Sequence, residues 1–214
     1  MKNRSEIIVC IVLLIFLACK DKTSKNSDFK SGNDKPNIIL ILTDDQGYGD
    51  VGFNGSKDIL TPNIDKIAEQ GVVFSDGYVS HPYCSPSRAG LMTGRYQQRF
   101  GHEHNVPFAP QDSTMGTSKN EVFLSKKLKE AGYSTCAIGK WHLGNHPSFL
   151  PPKRGFDHWF GFSGGNMNYW GYPYGKNKTM HVQRNGKNVD HKKLTYLTDD
   201  FTNEALSFIK QQKD

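Results

Sequence analysis

Asn37-Ile38-Ile39-Leu40-Ile41-Leu42-Thr43 is an unbroken apolar run that lies between Pro36 and the acidic pair Asp44-Asp45. A continuous run of aliphatic residues is typical of a strand that is buried on both faces, as in a parallel sheet covered by helices. In open sheets of this kind, ligands bind at the carboxyl ends of the strands. We therefore expect Asp44 and Asp45 to lie at the functional edge of a sheet.

Further helical and strand patterns alternate along the chain. Helices are predicted at residues 61–69, from 84 to about 94, from about 122 to 131, and at 199–210; strands are predicted at 72–74 and 134–138. Such alternation predicts the α/β class, with a doubly wound, mostly parallel sheet and helices on both faces.

The segment Cys84-Ser85-Pro86-Ser87-Arg88 leads into one of these helices. Cys84 itself is expected on the loop between the preceding strand and that helix. Pro86 suits the first position of a helix, whose free N–H groups and partial positive charge would then be directed toward Cys84. This arrangement favours an anion. The alternative is a structural cysteine, either buried or in a disulfide with Cys136, although the strand around Cys136 favours a core position for that residue.

Three segments together resemble the active-site signature of the sulfatase family, within the alkaline-phosphatase-like superfamily. They are Cys84 to Arg88 followed by Thr93-Gly94-Arg95, the pair Asp44-Asp45, and Gly139-Lys140-Trp141-His142-Leu143-Gly144. The resemblance implies that a formylglycine-generating maturation enzyme oxidises Cys84 to Cα-formylglycine, which Arg88 holds. One hydroxyl of the aldehyde hydrate would attack sulfur. The other would lose its proton, so that sulfate leaves and the aldehyde is restored.

The resemblance also implies a metal site. Asp44 and Asp45, with the modified Cys84, would hold a divalent cation, usually calcium, as a Lewis acid against the sulfate. Taken without Cys84, the sequence Asp-Asp-Gln-Gly is equally good turn chemistry.

Lys140 and His142 complete the candidate catalytic set. By resemblance, Lys140 contacts the sulfate and the aldehyde hydrate, and His142 takes part in the proton transfer that eliminates sulfate. If this segment is extended, the two side chains share a face because they are two residues apart. Trp141 would then point into the packing.

For several other residues the sequence is compatible with two different roles. Asp50 either approaches the site or stabilises a turn. His102, His104 and His146 either line the cleft or belong to ordinary polar loops. The aromatic residues of the glycine-rich segment 164–170 either stack on a sugar ring or pack internally.

Residues 1–19 have the pattern of a signal peptide. A basic start with Lys2 and Arg4 precedes an apolar run at 7–17, and Leu17-Ala18-Cys19 resembles a bacterial lipobox. We expect Cys19 to be lipidated and to anchor the protein to a membrane, which places it in the bacterial periplasm or at the cell surface. A plain secretory peptide or a short membrane anchor is the alternative. Residues 20–36 have the polar composition of a flexible tether.

The chain of 214 residues has a formal net charge of +6. A basic protein is suited to sulfated, polyanionic substrates, but scattered lysines are also common on solvated surfaces. No nucleic-acid-binding motif occurs, so we expect no nucleic acid partner.

Residues 37–214 are interpreted as the N-terminal part of a sulfatase catalytic domain, incomplete at the C-terminus. The family pattern needs a second metal pair, a further histidine and a further lysine, all expected beyond Asp214. We expect the 214-residue chain alone to be weakly active or inactive. The predicted function is hydrolysis of sulfate esters, with a sulfated glycan or small molecule as substrate. The alternatives are a phosphonate monoester hydrolase or phosphodiesterase of the same superfamily, and a non-catalytic glycan-binding lipoprotein.

Overall fold

The structure is a computed structural model that describes residues 35–172 and 179–212. The predicted signal peptide, with Cys19, and all but the last two residues of the predicted tether lie outside the described residues. The chain divides into two compact units, Met1–Thr43 and Asp44–Asp214. Within the described ranges, every helix is too short or too polar to cross a bilayer.

Four α-helices occur where the sequence predicts helices. They are α1 (Pro62–Gln70), α2 (Cys84–Thr93), α3 (Leu124–Glu130) and α4 (Leu197–Gln211). Short 3-10 turns occur at Tyr48–Asp50, Gly52–Asn54, Gln97–Phe100, Pro147–Phe149, Pro151–Lys153 and His191–Lys193. The sequence predicts Pro86 at the first position of this helix, but α2 begins at Cys84 and Pro86 is its third residue. It is still tolerated, because the first four N–H groups of a helix have no intrahelical partner.

The described strands form one small mixed sheet. Its members are β1 (Cys136–Lys140), β2 (His158–Phe162), β3 (Gln183–Arg184) and β4 (Lys187–Asn188), in that order. β1 and β2 are parallel, and the remaining two pairs are antiparallel. Gly139 and Gly161 face each other, and a Cβ on Gly161 would lie only 1.9 Å from the carbonyl oxygen of Gly139. The parallel pair therefore requires glycine at position 161.

Two strand predictions are wrong in this structure. The apolar run at 37–43 and the segment 72–74 are not strands, and their side chains are exposed, for example 69% for Ile39 and 80% for Phe74. A strand is defined by backbone hydrogen bonds to a neighbour. The four described strands pair only with one another, so neither apolar segment has such a neighbour among the described residues.

Two hydrophobic clusters hold the elements that surround the site. The first contains Ala89 of α2, Phe123 before α3, and Trp141 and Leu143 after β1. The second joins the sheet to α4. These clusters fix the start of α2 and the end of β1, from which the candidate site residues extend.

Both described cysteines are free thiols, so a disulfide between Cys84 and Cys136 is not formed. Cys136 lies half-buried in β1. Burial, and secondarily the charge of Glu204, raises the pKa of the Cys136 thiol to about 12. Cys136 is therefore an unreactive structural thiol, although it is half-buried and does not have the core position that the sequence predicts.

Candidate active site

Asp44 contacts two basic side chains that come from distant parts of the chain. Nζ of Lys140, at the end of β1, lies 3.1 and 3.0 Å from the two carboxylate oxygens of Asp44. Nη2 of Arg88, in α2, lies 3.4 Å from Oδ1 of Asp44, and Nη1 donates to the carbonyl of Lys140 at 2.7 Å. The side chains of Lys140 and Arg88 are only 7% and 13% exposed. Their charges are thus poorly screened by solvent.

Asp44, Asp45 and Cys84 bring one potential metal ligand each into a small volume. The three ligand atoms lie within 4.8 Å of one another. Asp45 has a φ of 55°, a left-handed conformation that is uncommon for residues other than glycine and that occurs often at functional sites. The carboxylates suit a hard cation such as calcium, and a formylglycine would place an oxygen where the sulfur of Cys84 now stands. Because calcium takes about six to eight oxygen ligands, the three residues fit part of a calcium site.

Cys84 is half-buried and is the first residue of α2. The preceding Tyr83 makes no side-chain cap, and the N–H of Ser85 donates instead to Oδ1 of Asn105 at 3.0 Å. Arg88 follows Cys84 by four residues, so the two side chains lie on the same face of the helix. Pro86 has no N–H, and the N–H of Ser87 donates to the carbonyl of Tyr83 at 3.2 Å. The locally positive environment of Cys84 therefore comes from the helix dipole and from Arg88.

A buried hydrogen-bond network fixes the start of α2. The hydroxyl of Ser85 donates to the carbonyl of His142 at 2.5 Å and lies 2.7 Å from Nε2 of His102. Since that hydroxyl has only one proton, Nε2 of His102 must donate to Ser85. Burial lowers the pKa of His102 from 6.5 to about 4, so the ring is neutral at neutral pH. Its Nδ1 then accepts from the hydroxyl of Thr117 at 3.2 Å.

His142 is buried, and its φ of 58° shows that the chain is no longer extended there. The shared face of Lys140 and His142 is expected only for an extended segment, and that condition is not met because β1 ends at Lys140. Nε2 of His142 lies 3.1 Å from the carbonyl of Val106 and must donate to it. Burial, and then the charge of Lys140, lowers the pKa of His142 from 6.5 to about 4.

The other ring nitrogen of His142 is an unused acceptor. Nδ1 is buried and has no hydrogen-bond partner among the described residues. The ring packs against Gly165, where an added Cβ would lie 2.8 Å from Cε1. A neutral imidazole that is held in place with a free lone pair is able to accept a proton.

The structure shows the contacts of Asp50 and of the three loop histidines for which the sequence left two roles open. Asp50 accepts from the N–H of Gly47 at 2.7 Å, so it stabilises its own turn. His102 lies in the buried network. His104 is exposed, and His146 bonds to Ser148 two residues away. None of these is in the group around Asp44.

Trp141 is buried as predicted and donates from Nε1 to the carbonyl of Phe149 at 3.0 Å. Sequence reasoning missed Ser85, Asn105 and Thr117 as residues that support the site. Short polar side chains are common in turns and caps. Their role here is visible only from their tertiary partners.

Comparison with known proteins identifies relatives of the chain. The sequence profile named Sulfatase matches residues 36–214. N-acetylgalactosamine-6-sulfatase of Mus musculus is 39% identical over 193 residues, which cover 83% of this chain and 36% of that protein. Arylsulfatase G of Rattus norvegicus is 47% identical over 127 residues, which cover 59% of this chain and 24% of that protein. The chain spans about a third or less of the length of these curated relatives.

Two solved structures are similar over most of the chain. The crystal structure of Ps i-CgsB in complex with k-i-k-neocarrahexaose is 47% identical, with a TM-score of 0.75, over 83% of this chain and 42% of that chain. The PsFucS1 sulfatase from Pseudoalteromonas sp. is 27% identical, with a TM-score of 0.68, over 99% of this chain and 45% of that chain. These neighbours confirm the predicted alkaline-phosphatase-like α/β fold class. Together with the profile match, they show that this chain belongs to the sulfatase family.

Proposed function

We propose that the protein hydrolyses sulfate esters, with Cys84, converted to Cα-formylglycine, as the nucleophile. One observation carries the proposal. Cys84 is the first residue of α2, and its sulfur lies within 4.8 Å of the ligand atoms of Asp44 and Asp45. The formylglycine would supply a hydrate hydroxyl, a stronger and more easily regenerated nucleophile than a serine hydroxyl. Membership of the sulfatase family supports the same chemistry.

We assign a divalent cation, in the first instance calcium, to Asp44, Asp45 and residue 84. The cation would supply Lewis-acid charge beside the sulfate. Lys140 orders the carboxylate of Asp44 through its two contacts at 3.1 and 3.0 Å. An ordered carboxylate loses little conformational entropy when it binds a metal.

Lys140 and Arg88 are assigned to anion binding. Their poorly screened charges lie beside Cys84, where a sulfate group must approach. Arg88 is held by the carbonyl of Lys140 at 2.7 Å, so its guanidinium has a fixed orientation. We infer that Arg88 holds residue 84 and that Lys140 binds the sulfate, since fixed charges stabilise a developing negative charge best.

His142 is assigned to proton transfer. Its Nε2 is committed to the carbonyl of Val106, and its Nδ1 is buried without a partner among the described residues. The pKa of His142 is lowered to about 4, so at neutral pH the ring is neutral and its Nδ1 has a free lone pair. The same burial disfavours the protonated ring, so a proton taken up there would be passed on readily.

We propose a sulfated carbohydrate as the substrate. The relatives include a protein named for N-acetylgalactosamine-6-sulfate chemistry and a structure that holds k-i-k-neocarrahexaose. The net charge of +6 suits a polyanionic substrate.

We further propose that residues 1–19 direct export, that Cys19 carries a lipid anchor, and that residues 20–36 tether the domain 37–214. The basic start, the apolar run and the sequence Leu17-Ala18-Cys19 support this proposal. The protein would then act in the bacterial periplasm or at the cell surface.

The decisive experiment uses the full-length protein, made together with a formylglycine-generating maturation enzyme. We expect the peptide that contains Cys84 to have the mass of an aldehyde or its hydrate, and the protein to hydrolyse p-nitrophenyl sulfate. Cys84→Ala should abolish turnover, whereas Cys136→Ala, which removes the inert thiol of β1, should preserve it.

Three results would contradict the proposal. Active protein with an unmodified Cys84 thiol would exclude the nucleophile. Faster turnover of an aryl phosphonate monoester than of the aryl sulfate would favour the phosphonate hydrolase alternative. Binding of sulfated glycan without turnover, despite a modified Cys84, would favour the non-catalytic alternative.

A further inference from the structure

Three aromatic side chains form a cluster on the surface of the second unit. The rings of Tyr169 and Tyr196 are stacked, with centroids 5.3 Å apart and an interplanar angle of 20°. Trp170 packs edge-on against Tyr196, with centroids 5.8 Å apart. Although they contact one another, Tyr169, Trp170 and Tyr196 are 64%, 55% and 38% exposed. Isolated exposed aromatic residues are ordinary, but a contiguous exposed cluster indicates an interaction surface.

The backbone beneath this aromatic cluster is well anchored. The carbonyl of Tyr169 accepts from the N–H of Leu197 at 2.7 Å, and Leu197 is a buried core residue at the start of α4. The N–H of Trp170 donates to Oδ1 of Asn168 at 2.9 Å. Tyrosine and tryptophan have few rotatable bonds, so a ligand that packs on rings held in this way loses little affinity to ordering.

A short segment of chain links the aromatic cluster to the candidate active site. The segment that contains Tyr169 begins at Gly165, which packs against the ring of His142. A chain of four residues spans at most about 14 Å, so Tyr169 lies no farther than that from Gly165. This upper limit keeps the aromatic cluster within reach of an oligosaccharide that is bound beside His142.

A basic turn precedes the aromatic cluster in sequence. His191–Lys193 is a 3-10 turn that ends at Leu194, two residues before Tyr196. Among the described residues, no carboxylate forms an ion pair with Lys192 or Lys193. Exposed lysines in the turn that leads to the aromatic cluster suit a ligand that has both apolar C–H faces and sulfate groups.

We propose that Tyr169, Trp170 and Tyr196, with Lys192 and Lys193, bind a sugar unit of the sulfated glycan adjacent to the unit that is hydrolysed. The inference rests on the proposed function, because it takes the group around Cys84 as the hydrolytic site. The sugar ring packs its C–H face on the aromatic cluster, and the lysines bind its sulfate groups. The cluster therefore selects polymeric or oligomeric substrates over small sulfate esters.

Binding is measured first, by calorimetry on the full-length protein with Cys84→Ala, so that the ligand is not consumed. The probes are a sulfated galactan hexasaccharide and its desulfated counterpart. Tyr169→Ala and Trp170→Ala should each weaken binding of the sulfated probe about tenfold, which is about 1.4 kcal/mol. Tyr169→Phe, which keeps the ring, should bind like the parent protein.

A matched control is Tyr96→Ala, since Tyr96 is 69% exposed and lies outside the cluster. It should bind both probes normally. The double variant Lys192→Ala and Lys193→Ala should reduce the salt dependence of binding the sulfated probe and leave the desulfated probe unaffected.

Turnover separates this inference from the proposed function. In protein that retains Cys84, Tyr169→Ala should lower kcat/KM for the hexasaccharide about tenfold and leave p-nitrophenyl sulfate hydrolysis unchanged. If the parent protein hydrolyses neither substrate, the proposed function fails, and the binding measurements alone decide the role of the cluster. Unchanged affinity in both alanine variants would overturn the inference. A lowered Tm with unchanged affinity would also overturn it and would identify the cluster as internal packing.

Discussion

Lys140 donates from Nζ to both carboxylate oxygens of Asp44, while the same carboxylate remains half-exposed. A nearly buried ammonium and an accessible carboxylate thus form one pair. The ammonium of Lys140 holds the carboxylate of Asp44 in place, and the exposed side of that carboxylate remains accessible to a metal ion. This pair leads directly to a test of the metal assignment.

Asp44→Asn and Asp45→Asn should each weaken calcium binding by at least about tenfold, since each removes a charged oxygen ligand. Titration calorimetry of the full-length protein measures the change. Asp76→Asn is the matched control, because Asp76 is an exposed acid that bonds only within its own turn. Equal calcium affinity in all three variants would show that Asp44 and Asp45 do not bind the metal.

Stability should depend on the protonation of His102. Its pKa falls from 6.5 to about 4 on folding, so between these values the unfolded chain binds more protons than the folded chain. The stabilisation is complete above pH 6.5 and is lost as the pH falls to about 4. Urea denaturation at several pH values should show this decline. In His102→Gln the slope should be smaller by up to about 1.4 kcal/mol per pH unit.

His102→Gln should also be less stable than the parent at neutral pH, because Ser85 or Thr117 loses a buried hydrogen-bond partner, at a cost of about 1–3 kcal/mol. His142 has a lowered pKa as well and remains in the variant, so part of the slope should persist. An unchanged slope would show that His102 does not titrate in this range.

Gly165→Ala should impair catalysis through His142. The added Cβ would lie 2.8 Å from Cε1 of the ring, so the imidazole must shift. His142→Asn should lower kcat by roughly 100-fold or more, as for loss of a general base, and Gly165→Ala should lower it in the same direction. Gly77→Ala, where the nearest atom lies at an ordinary 3.6 Å, is the control. Normal kcat in His142→Asn would rule out its proton-transfer role.

Cys19→Ser should prevent lipidation and leave an unprocessed precursor or a soluble protein. Fractionation of cells and mass spectrometry of the mature N-terminus give the readout. The parent protein should be acylated at Cys19 and should sediment with membranes. Cleavage at another position, with the protein fully soluble, would instead indicate simple secretion.

The helices could be predicted from sequence because their signals are local, whereas the group around Asp44 could be predicted because three separate segments resemble the sulfatase signature. Pro62 and Gly71 mark the ends of α1, and the spacing of Cys84 and Arg88 is that of one helical turn. The apolar run at 37–43 also has a local strand signal. A strand, however, needs a partner that the pattern itself does not contain.

The supporting residues could not be predicted for a related reason. His102 looks like any loop histidine in sequence, and its role comes from Ser85 and Thr117, which lie 17 and 15 residues away. His142 likewise has a left-handed φ, so the chain is not extended there. The strand alternation used to place Lys140 and His142 on one face does not apply beyond the end of β1. Both features depend on tertiary packing.

The bonds of Arg88 and Lys140 also bear on the order of events during folding. Arg88 and the carbonyl of Lys140 are 52 residues apart, and Lys140 and Asp44 are 96 apart. Closing such long loops costs entropy before any contact compensates for it, so local helices form first. In a chain in which only the helices have formed, Cys84 is already at the start of α2, but Lys140 and Asp44 are not yet beside it. We therefore expect the charged surroundings of residue 84 to be completed late in folding, after α2 has formed.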